Sequence, residues 1–193
     1  MSTPPQDGKL IYHLTSLDNL EGILKNGLIS RENLSVFDDI AEKEIIVHRE
    51  SMGLNGFVPF HFFAGTPFDG AVQKSNTDKD FVFITLQRTF AEKNNFKILT
   101  QHPLSIVDNT PLTYIQGMKK IDWATMALRN YSDHICCEIC MAECLSPLKI
   151  DPDNFFCVYT KNVEIKQKVI QLRDKILNSG SFYVEVNPVF FVK

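Results

Sequence analysis

The chain has little that suggests a membrane or an export route. It contains no run of about eighteen apolar residues, the least that a transmembrane helix needs. Its first residues, Met-Ser-Thr-Pro-Pro-Gln-Asp-Gly, include no apolar segment of the kind that a secretory signal carries. These two absences lead us to expect a cytoplasmic protein.

The motifs of the most familiar enzyme classes are missing as well. The sequence has no Walker loop, no GxGxxG, no HExxH and no GxSxG. The sequence therefore gives no support for four protein classes: P-loop nucleotide hydrolases, Rossmann dinucleotide-binding proteins, zincin metalloproteases and α/β-hydrolases. Any enzymatic activity must use a less common set of residues.

Positive charge is not in excess either. The net charge is −3 and the pI about 5.9, which argues against non-specific coating of nucleic acid. The charge is uneven, because Lys74 to Arg129 holds eight basic against five acidic residues, whereas Asp133 to Asp153 holds one against five. The middle of the chain is the better candidate for a phosphate-facing surface, although charge alone fits ordinary solvated surface equally well.

Five cysteines are present, and four of them crowd between Cys136 and Cys144. We expect thiols in a reducing cytosol, with Cys136, Cys140 and Cys144 on one face of a continuous helix. His134 adds a further ligand type, but zinc sites use two separated ligand pairs and there is no second pair here. We therefore expect no metal.

The length of 193 residues fits one domain, with residues 1–9 as a loose tail. Alternation predicts strands, and three-to-four spacing predicts helices. The predicted strands are 10–14, 57–63 (an edge or strand start because of Pro59), 81–86, 96–99, 155–159 and 183–192. The predicted helices are 17–26, 42–52, 123–130 and 163–177. Ser16 is the predicted N-cap of the first and Gly27 its stop, and residues 178–180 end the last. We expect 108–117 to be loop, and 141–145 to be helix or strand. This is an α+β pattern.

The first strand offers a candidate ligand site. His13 and Thr15 alternate, so their side chains leave the same face of the strand, and Asn19 follows. An imidazole beside a hydroxyl can bind a ribose diol or a carboxamide. A structural histidine with a strand-end threonine is the competing interpretation.

Later segments add an aromatic wall, a cation and an acid. The stretch Phe57 to Phe68 can form a stacking wall for a flat ring, or simply a core strand. Arg49, after His48, offers a fork that fits a diphosphate, or lies on the surface. Glu143 lies among apolar neighbours, where a carboxylate is costly to bury unless it has a partner or a function. Glu138 is its rival.

Taken in order, these segments resemble the DarT family of DNA ADP-ribosyltransferase toxins. The matching blocks are Ile11-Tyr12-His13-Leu14-Thr15-Ser16-Leu17-Asp18-Asn19-Leu20, Ile23-Leu24-Lys25-Asn26-Gly27-Leu28, Val58-Pro59-Phe60-His61-Phe62, Ile121-Asp122-Trp123 and Met141-Ala142-Glu143-Cys144-Leu145. The first block is the most specific, although part of it marks the wider ADP-ribosyltransferase superfamily.

The resemblance implies an ADP-ribosyltransferase-like α+β fold, in which helices flank a central mixed or antiparallel split sheet. It implies NAD as co-substrate, single-stranded DNA as substrate, and an antitoxin partner that removes ADP-ribose. Glu143 and Arg49 would be catalytic, with His48 or Arg31 as alternatives to Arg49. The NAD-binding residues would be His13, Thr15, Asn19, Gly27, Phe60 and His61. Candidate DNA phosphate contacts are Lys74, Lys79, Lys119, Lys120 and Arg129.

Two departures from the family pattern bear on the modified base. The thymidine-modifying branch continues the Pro-Phe strand with a Pro-Arg-Ser-Pro-Met-like stretch, where this chain has Phe63-Ala64-Gly65-Thr66-Pro67-Phe68. The family glutamate is followed by Phe-Leu, where this chain has Cys144-Leu145. Both departures favour guanine over thymine. ADP-ribosylation of RNA or protein and a non-catalytic nucleotide-binding module remain as alternatives.

Overall fold

A computed structural model describes residues 3–34, 43–105, 110–177 and 181–192. An eight-stranded sheet runs through it in the order β5-β4-β6-β2-β1-β3-β7-β8, and every pairing except β7 with β8 is antiparallel. The strands are β1 Leu10–Ser16, β2 Val58–His61, β3 Phe81–Gln87, β4 Lys97–Leu99, β5 Leu112–Thr113, β6 Glu143–Ser146, β7 Cys157–Thr160 and β8 Tyr183–Val186.

Helices join and flank these strands. They are α1 Leu20–Asn26, α2 Lys43–Ser51, α3 Pro67–Ser75, α4 Arg88–Lys93, α5 Tyr114–Lys120, α6 Trp123–Leu128, α7 His134–Cys140 and α8 Val163–Leu177. The predicted α+β class and the mostly antiparallel sheet are confirmed. Within the described ranges, no helix has both the length and the apolar character needed to cross a bilayer.

Alternating side chains of β3 enter two different cores, one on each face of the sheet. In β3, Val82 and Ile84 point into the larger core, to which α1 and α8 contribute, whereas Phe81 and Phe83 point into a smaller core. The smaller core also receives Val72 of α3. This two-sided burial explains why β3 is apolar along almost its whole length.

Local signals set the corner after β1 as predicted. The Ser16 hydroxyl accepts from the Asp18 N–H and caps a 3-10 turn over Leu17–Asn19 that leads into α1. Gly27 ends α1 with φ of 86°, a backbone conformation that favours glycine. The chain then turns into a short bridge between Leu28 and Ile150.

Pro59 is the second residue of β2, close to the strand start that was one of its two predicted placements, and it does not lie on an edge strand. β2 is interior, between β6 and β1, yet β1 and β2 pair only at Tyr12 and His61. Because the β1–β2 ladder stops there, no neighbouring carbonyl needs the N–H that proline lacks. The sheet is therefore split between β1 and β2.

The predicted loop at 108–117 is wrong from Leu112 onward, while 106–109 lie outside the described residues. Thr113 and Gln116 form a reciprocal cap that starts α5. Gly117 lies inside this helix, where its missing side chain allows contact with Ile98: an added Cβ would lie 2.2 Å from the Ile98 Cβ. A glycine that suggests a turn in the sequence is here a packing residue.

Two other expectations also change. Cys136 and Cys140 lie on α7, but Cys144 lies on β6, so the three thiols do not share one helix; the strand forms because it pairs with β2 and β4. The last strand ends at Val186, because Pro188 begins a 3-10 turn. Glu42 and the predicted stop at 178–180 lie outside the described residues.

Part of the predicted tail is packed against the body. Pro5–Asp7 form a 3-10 turn with Pro5 buried. The buried guanidinium of Arg88 donates to the carbonyls of Pro5, Gln6, Leu10 and Phe62. These bonds attach the turn to the start of β1.

Candidate active site

A cavity of about 500 Å³ opens beside the split in the sheet, within the size range of small-molecule sites. It brings together residues from β1, α1, α2, β2 and β6 that are far apart in the sequence. Predicted site residues that line it are His13, Thr15, Asn19, Gly27, Arg49, His61 and Glu143.

Glu143 and Arg49 form a buried ion pair in the cavity wall. Arg49 Nη1 donates to Glu143 Oε1 at 2.8 Å and to Oε2 at 2.7 Å, and both side chains are more than nine-tenths buried. Arg49 Nη2 is buried without a hydrogen-bond partner among the described residues. A buried donor without a partner is costly, so this nitrogen is a candidate donor to an acceptor on a ligand.

His13 is held as a neutral ring with a defined tautomer. Its Nδ1 lies 2.8 Å from the Pro59 carbonyl, which can only accept, so Nδ1 carries the hydrogen. Burial lowers the pKa of His13 to about 4, which keeps the ring uncharged near neutral pH. Nε2 is therefore left as an acceptor.

Thr15 and Asn19 form a polar pair beside His13. The Asn19 side-chain amide donates to the Thr15 hydroxyl at 3.3 Å, and both residues line the cavity. The hydroxyl keeps its own hydrogen as a donor. His13 and Thr15 thus offer an acceptor and a donor side by side, which suits a ribose diol or a carboxamide.

β2 contributes alternate residues to the cavity and to the core. His61 lines the cavity, and its Nδ1 donates to the Ala142 carbonyl at 3.1 Å. Its ring lies 5.7 Å from that of Phe68, another lining residue. Phe60 is fully buried against Phe96 and does not line the cavity, because successive strand residues face opposite sides.

The structure adds His102 to the site, which sequence reasoning missed. It lines the cavity, its Nδ1 accepts from the Leu104 N–H at 3.3 Å, and burial lowers its pKa. In the neutral ring the hydrogen is therefore on Nε2. Between a glutamine and a proline in a region with no clear periodicity, this histidine carries no signal in the sequence. Arg31, named as an alternative to Arg49, also lines the cavity.

The predicted phosphate contacts lie outside the cavity lining. Lys74 is exposed on α3, and Lys119 and Lys120 are exposed at the end of α5. Arg129 follows α6, with its guanidinium 4.4 Å from the centre of the Phe63 ring. Lys79 is half-buried after α3.

Metal-ligand types do not cluster in the part of the chain that the structure describes: no three His, Cys, Asp or Glu side chains are grouped to hold an ion. The Cys136 thiol instead contacts the Thr125 carbonyl at 3.2 Å. The Cys140 thiol lies 3.6 Å from the Met126 carbonyl, and burial raises its pKa to about 12. Both thiols pack α7 against α6.

Solved DarT structures share this fold. A structure of Thermus sp. 2.9 DarT in complex with ADP-ribosylated ssDNA superposes with a TM-score of 0.85 at 16% identity, covering 100% of both chains. Thermus sp. 2.9 DarT in complex with NAD+ gives 0.78 at 15% identity, over 96% of this chain and 98% of that one. Thermosipho africanus DarTG in complex with ADP-ribose gives 0.71 at 17% identity, over 95% of this chain and 51% of that one.

The family model described as "ssDNA thymidine ADP-ribosyltransferase, DarT" matches residues 12–192. The chain therefore belongs to the DarT family and is an ADP-ribosyltransferase. No match was found among curated proteins.

Proposed function

We propose that this protein transfers ADP-ribose from NAD+ to a base of single-stranded DNA, with Glu143 as the catalytic carboxylate. One observation carries the proposal: Glu143, paired with Arg49, lines the same cavity as His13 and Thr15. An acid at a sugar site is what cleavage of a glycosidic bond to nicotinamide requires.

The NAD+ assignment is supported by the structural relatives and by the polarity of the cavity. Thermus sp. 2.9 DarT has been solved with NAD+ and with carba-NAD+. The nicotinamide riboside would contact His13, Thr15 and Asn19, whose acceptor and donor groups match its hydroxyls and carboxamide. Gly27 and His61 would complete the walls around it.

The chemical step exchanges one nitrogen for another at the ribose carbon. The bond to nicotinamide breaks with its electron pair going to nicotinamide, which neutralises the pyridinium charge. The resulting oxocarbenium-like sugar is stabilised by the Glu143 carboxylate. A base nitrogen then forms the new bond and loses its proton, for which Glu143 is the general base. Arg49 Nη2 would hold an acceptor on the incoming base.

Single-stranded DNA is the proposed substrate because a base stacked in a duplex cannot reach a sugar carbon inside a cavity. Thermus sp. 2.9 DarT has been solved with ADP-ribosylated ssDNA. We keep Lys74, Lys79, Lys119, Lys120 and Arg129 as phosphate contacts. Each true contact should contribute about 0.7 to the slope of log affinity against log salt concentration, so Lys119→Gln should flatten that slope.

The identity of the base that receives ADP-ribose is a separate part of the proposal. The departures at Ala64 to Phe68 and at Cys144 favoured guanine, and the comparisons do not confirm that preference. The description of the family model names thymidine instead. We therefore propose thymidine and keep guanine as the second candidate.

A toxin role in the cytoplasm, where chromosomal DNA lies, completes the proposal. The relative from Thermosipho africanus is a DarTG protein solved with ADP-ribose, and the match covers 51% of its chain. We propose that a partner which removes ADP-ribose neutralises the present chain.

Mass spectrometry of short oligonucleotides, each offering one base type, tests the activity after incubation with NAD+. We expect a mass increase of one ADP-ribose on the thymine oligonucleotide, lost in Glu143→Ala. Glu138→Ala is the matched control, since Glu138 pairs with His134 on α7 and does not line the cavity.

If ADP-ribose is transferred to RNA or to lysate protein but not to DNA, the protein is an RNA- or protein-modifying enzyme instead. Transfer that persists in Glu143→Ala would show that Glu143 is not the catalytic acid. Absence of NAD+ turnover with every acceptor would favour a non-catalytic nucleotide-binding module.

A further inference from the structure

A buried acid outside the cavity lining holds the turn that precedes Phe68. Asp69 is 1% exposed, lies in the first turn of α3 and does not line the cavity. Its Oδ2 accepts from the Gly65 N–H and from the Thr66 N–H, both at 2.9 Å. The other oxygen, Oδ1, is buried without a hydrogen-bond partner among the described residues. The carboxyl group of Asp69 is therefore directed at the turn before α3.

This arrangement exceeds what a helix cap needs. In a capping box, the side chains of the N-cap residue and of the third helical residue each bond the other's N–H. Thr66 and Asp69 form both halves, since the Thr66 hydroxyl also accepts from the Asp69 N–H at 3.2 Å. The bond to the Gly65 N–H is additional. Gly65 has φ of 80°, and successive N–H groups around such a left-handed residue can converge on one acceptor.

The same turn is also bonded from its outer side. The hydroxyl of Tyr131, which follows α6, donates to the Gly65 carbonyl at 2.9 Å. The N–H and the carbonyl of Gly65 are thus both engaged, one by α3 and the other by the segment between α6 and α7. The turn is fixed relative to both parts of the fold.

The turn leads directly into the cavity wall. Phe68 lines the cavity, and its ring lies 5.7 Å from the His61 ring. His61 lies opposite Glu143 in the pairing of β2 with β6, and its Nδ1 donates to the Ala142 carbonyl at 3.1 Å. A shift of the turn would therefore move Phe68 and loosen the packing around His61, beside the proposed catalytic carboxylate.

We infer that Asp69 is a positioning residue for ADP-ribose transfer, because it fixes the turn at Gly65 and Thr66 that places Phe68 against His61. This role is distinct from capping α3, which Thr66 and Asp69 share, whereas the bond to the Gly65 N–H is made by Asp69. The inference rests on the proposed function in taking Glu143 as the acid and DNA as the acceptor.

Steady-state transfer kinetics with NAD+ and a thymine oligonucleotide test this role. Asp69→Ala should lower kcat by about 10- to 100-fold, the loss expected when part of the site is misplaced. It should also raise KM for NAD+ by about 3- to 10-fold, because a displaced Phe68 ring packs less well in the cavity wall. A loss of folded molecules alone would lower the apparent kcat and leave KM unchanged.

Two matched variants separate positioning from capping. Thr66→Ala removes the other half of the capping box but leaves both bonds to Asp69 Oδ2, so kcat and KM should stay within about 3-fold of wild type. Asp69→Asn keeps an acceptor oxygen for both N–H groups. Because burial raises the pKa of Asp69 and so favours a neutral side chain, the asparagine variant should restore both constants to the same range.

Tyr131→Phe tests the same turn from the outer side, without a change in the buried core. Losing the bond to the Gly65 carbonyl should raise KM for NAD+ by about 2- to 5-fold. This variant decides the question if Asp69→Ala does not fold, and an unchanged KM would then count against the inference.

Urea unfolding of each variant at the assay temperature gives the folded fraction. Equal losses of kcat in Asp69→Ala and Thr66→Ala would overturn the inference, as would an unchanged KM in folded Asp69→Ala. So would a folded Asp69→Asn that is as inactive as Asp69→Ala. If the wild-type protein labels no DNA, the proposed function fails instead, and hydrolysis of NAD+ to nicotinamide and ADP-ribose gives the same comparison of variants without an acceptor base.

Discussion

The ion pair between Arg49 and Glu143 should be a measurable determinant of both stability and activity. The two side chains are 9% and 8% exposed, so replacing one partner leaves the other charge buried without compensation. Removing one member of a buried pair costs about 3–5 kcal/mol. The pair lies in a cavity wall that water can reach, so we expect the lower end, about 3 kcal/mol, for Glu143→Gln and for Arg49→Met.

A double-mutant cycle isolates the pair from other effects of each substitution. At about 2–4 °C per kcal/mol for a chain of this size, each single variant should melt about 6–12 °C lower. The double variant has no buried charge left over, so its loss should be smaller than the sum of the single losses by about 2 kcal/mol. Urea unfolding followed by the fluorescence of the single tryptophan, Trp123, provides the free energies.

Transfer activity gives an independent measurement. Glu143→Gln should slow ADP-ribose transfer by at least about 10²–10³-fold, as expected when a preorganised charge is removed from the transition state. Free energies that add to within about 0.5 kcal/mol in the double variant would refute the pairing as a source of stability.

Three further predictions concern the half-buried ring of His13 and two glycines inside helices. His13 has a folded-state pKa of about 4, below its usual 6.5, so the unfolded chain binds more protons between these values and the unfolding free energy should fall as pH drops from 6.5 to 4. Urea unfolding across that range should be less pH-dependent in His13→Gln, and an unchanged slope would contradict the neutral ring. Gly117→Ala should destabilise the protein by about 1–3 kcal/mol through the clash with Ile98. Gly70→Ala on α3, where an added Cβ meets nothing within 4 Å, should stabilise it by about 0.5–1 kcal/mol, and thermal melts of both variants should shift in opposite directions.

Most elements were predictable because their signals are local. The helix at Val163–Leu177 matches its three-to-four spacing, and Ser16 and Gly27 mark the ends of the first helical segment. Four of the described helices, α3, α4, α5 and α7, were not among the predicted helical ranges, although α3 and α5 begin with capping boxes, which are local signals. Packing explains two positions that local signals did not place: Gly117 makes room for Ile98 inside α5, and Pro59 lies in an interior strand beside a ladder that stops.

The sequence by itself determined which chemical groups the protein carries, and it predicted most of the described strands and half of the described helices, since periodicity and caps depend on neighbours along the chain. Only the tertiary structure decided which groups meet. The pairing of Arg49 with a carboxylate 94 residues away, the tautomer of His13 set by the carbonyl of Pro59, and the place of His102 in the cavity all depend on long-range packing. Local spacing contains no information on such contacts, because the face that a helix or strand turns toward another element is set by the core between them.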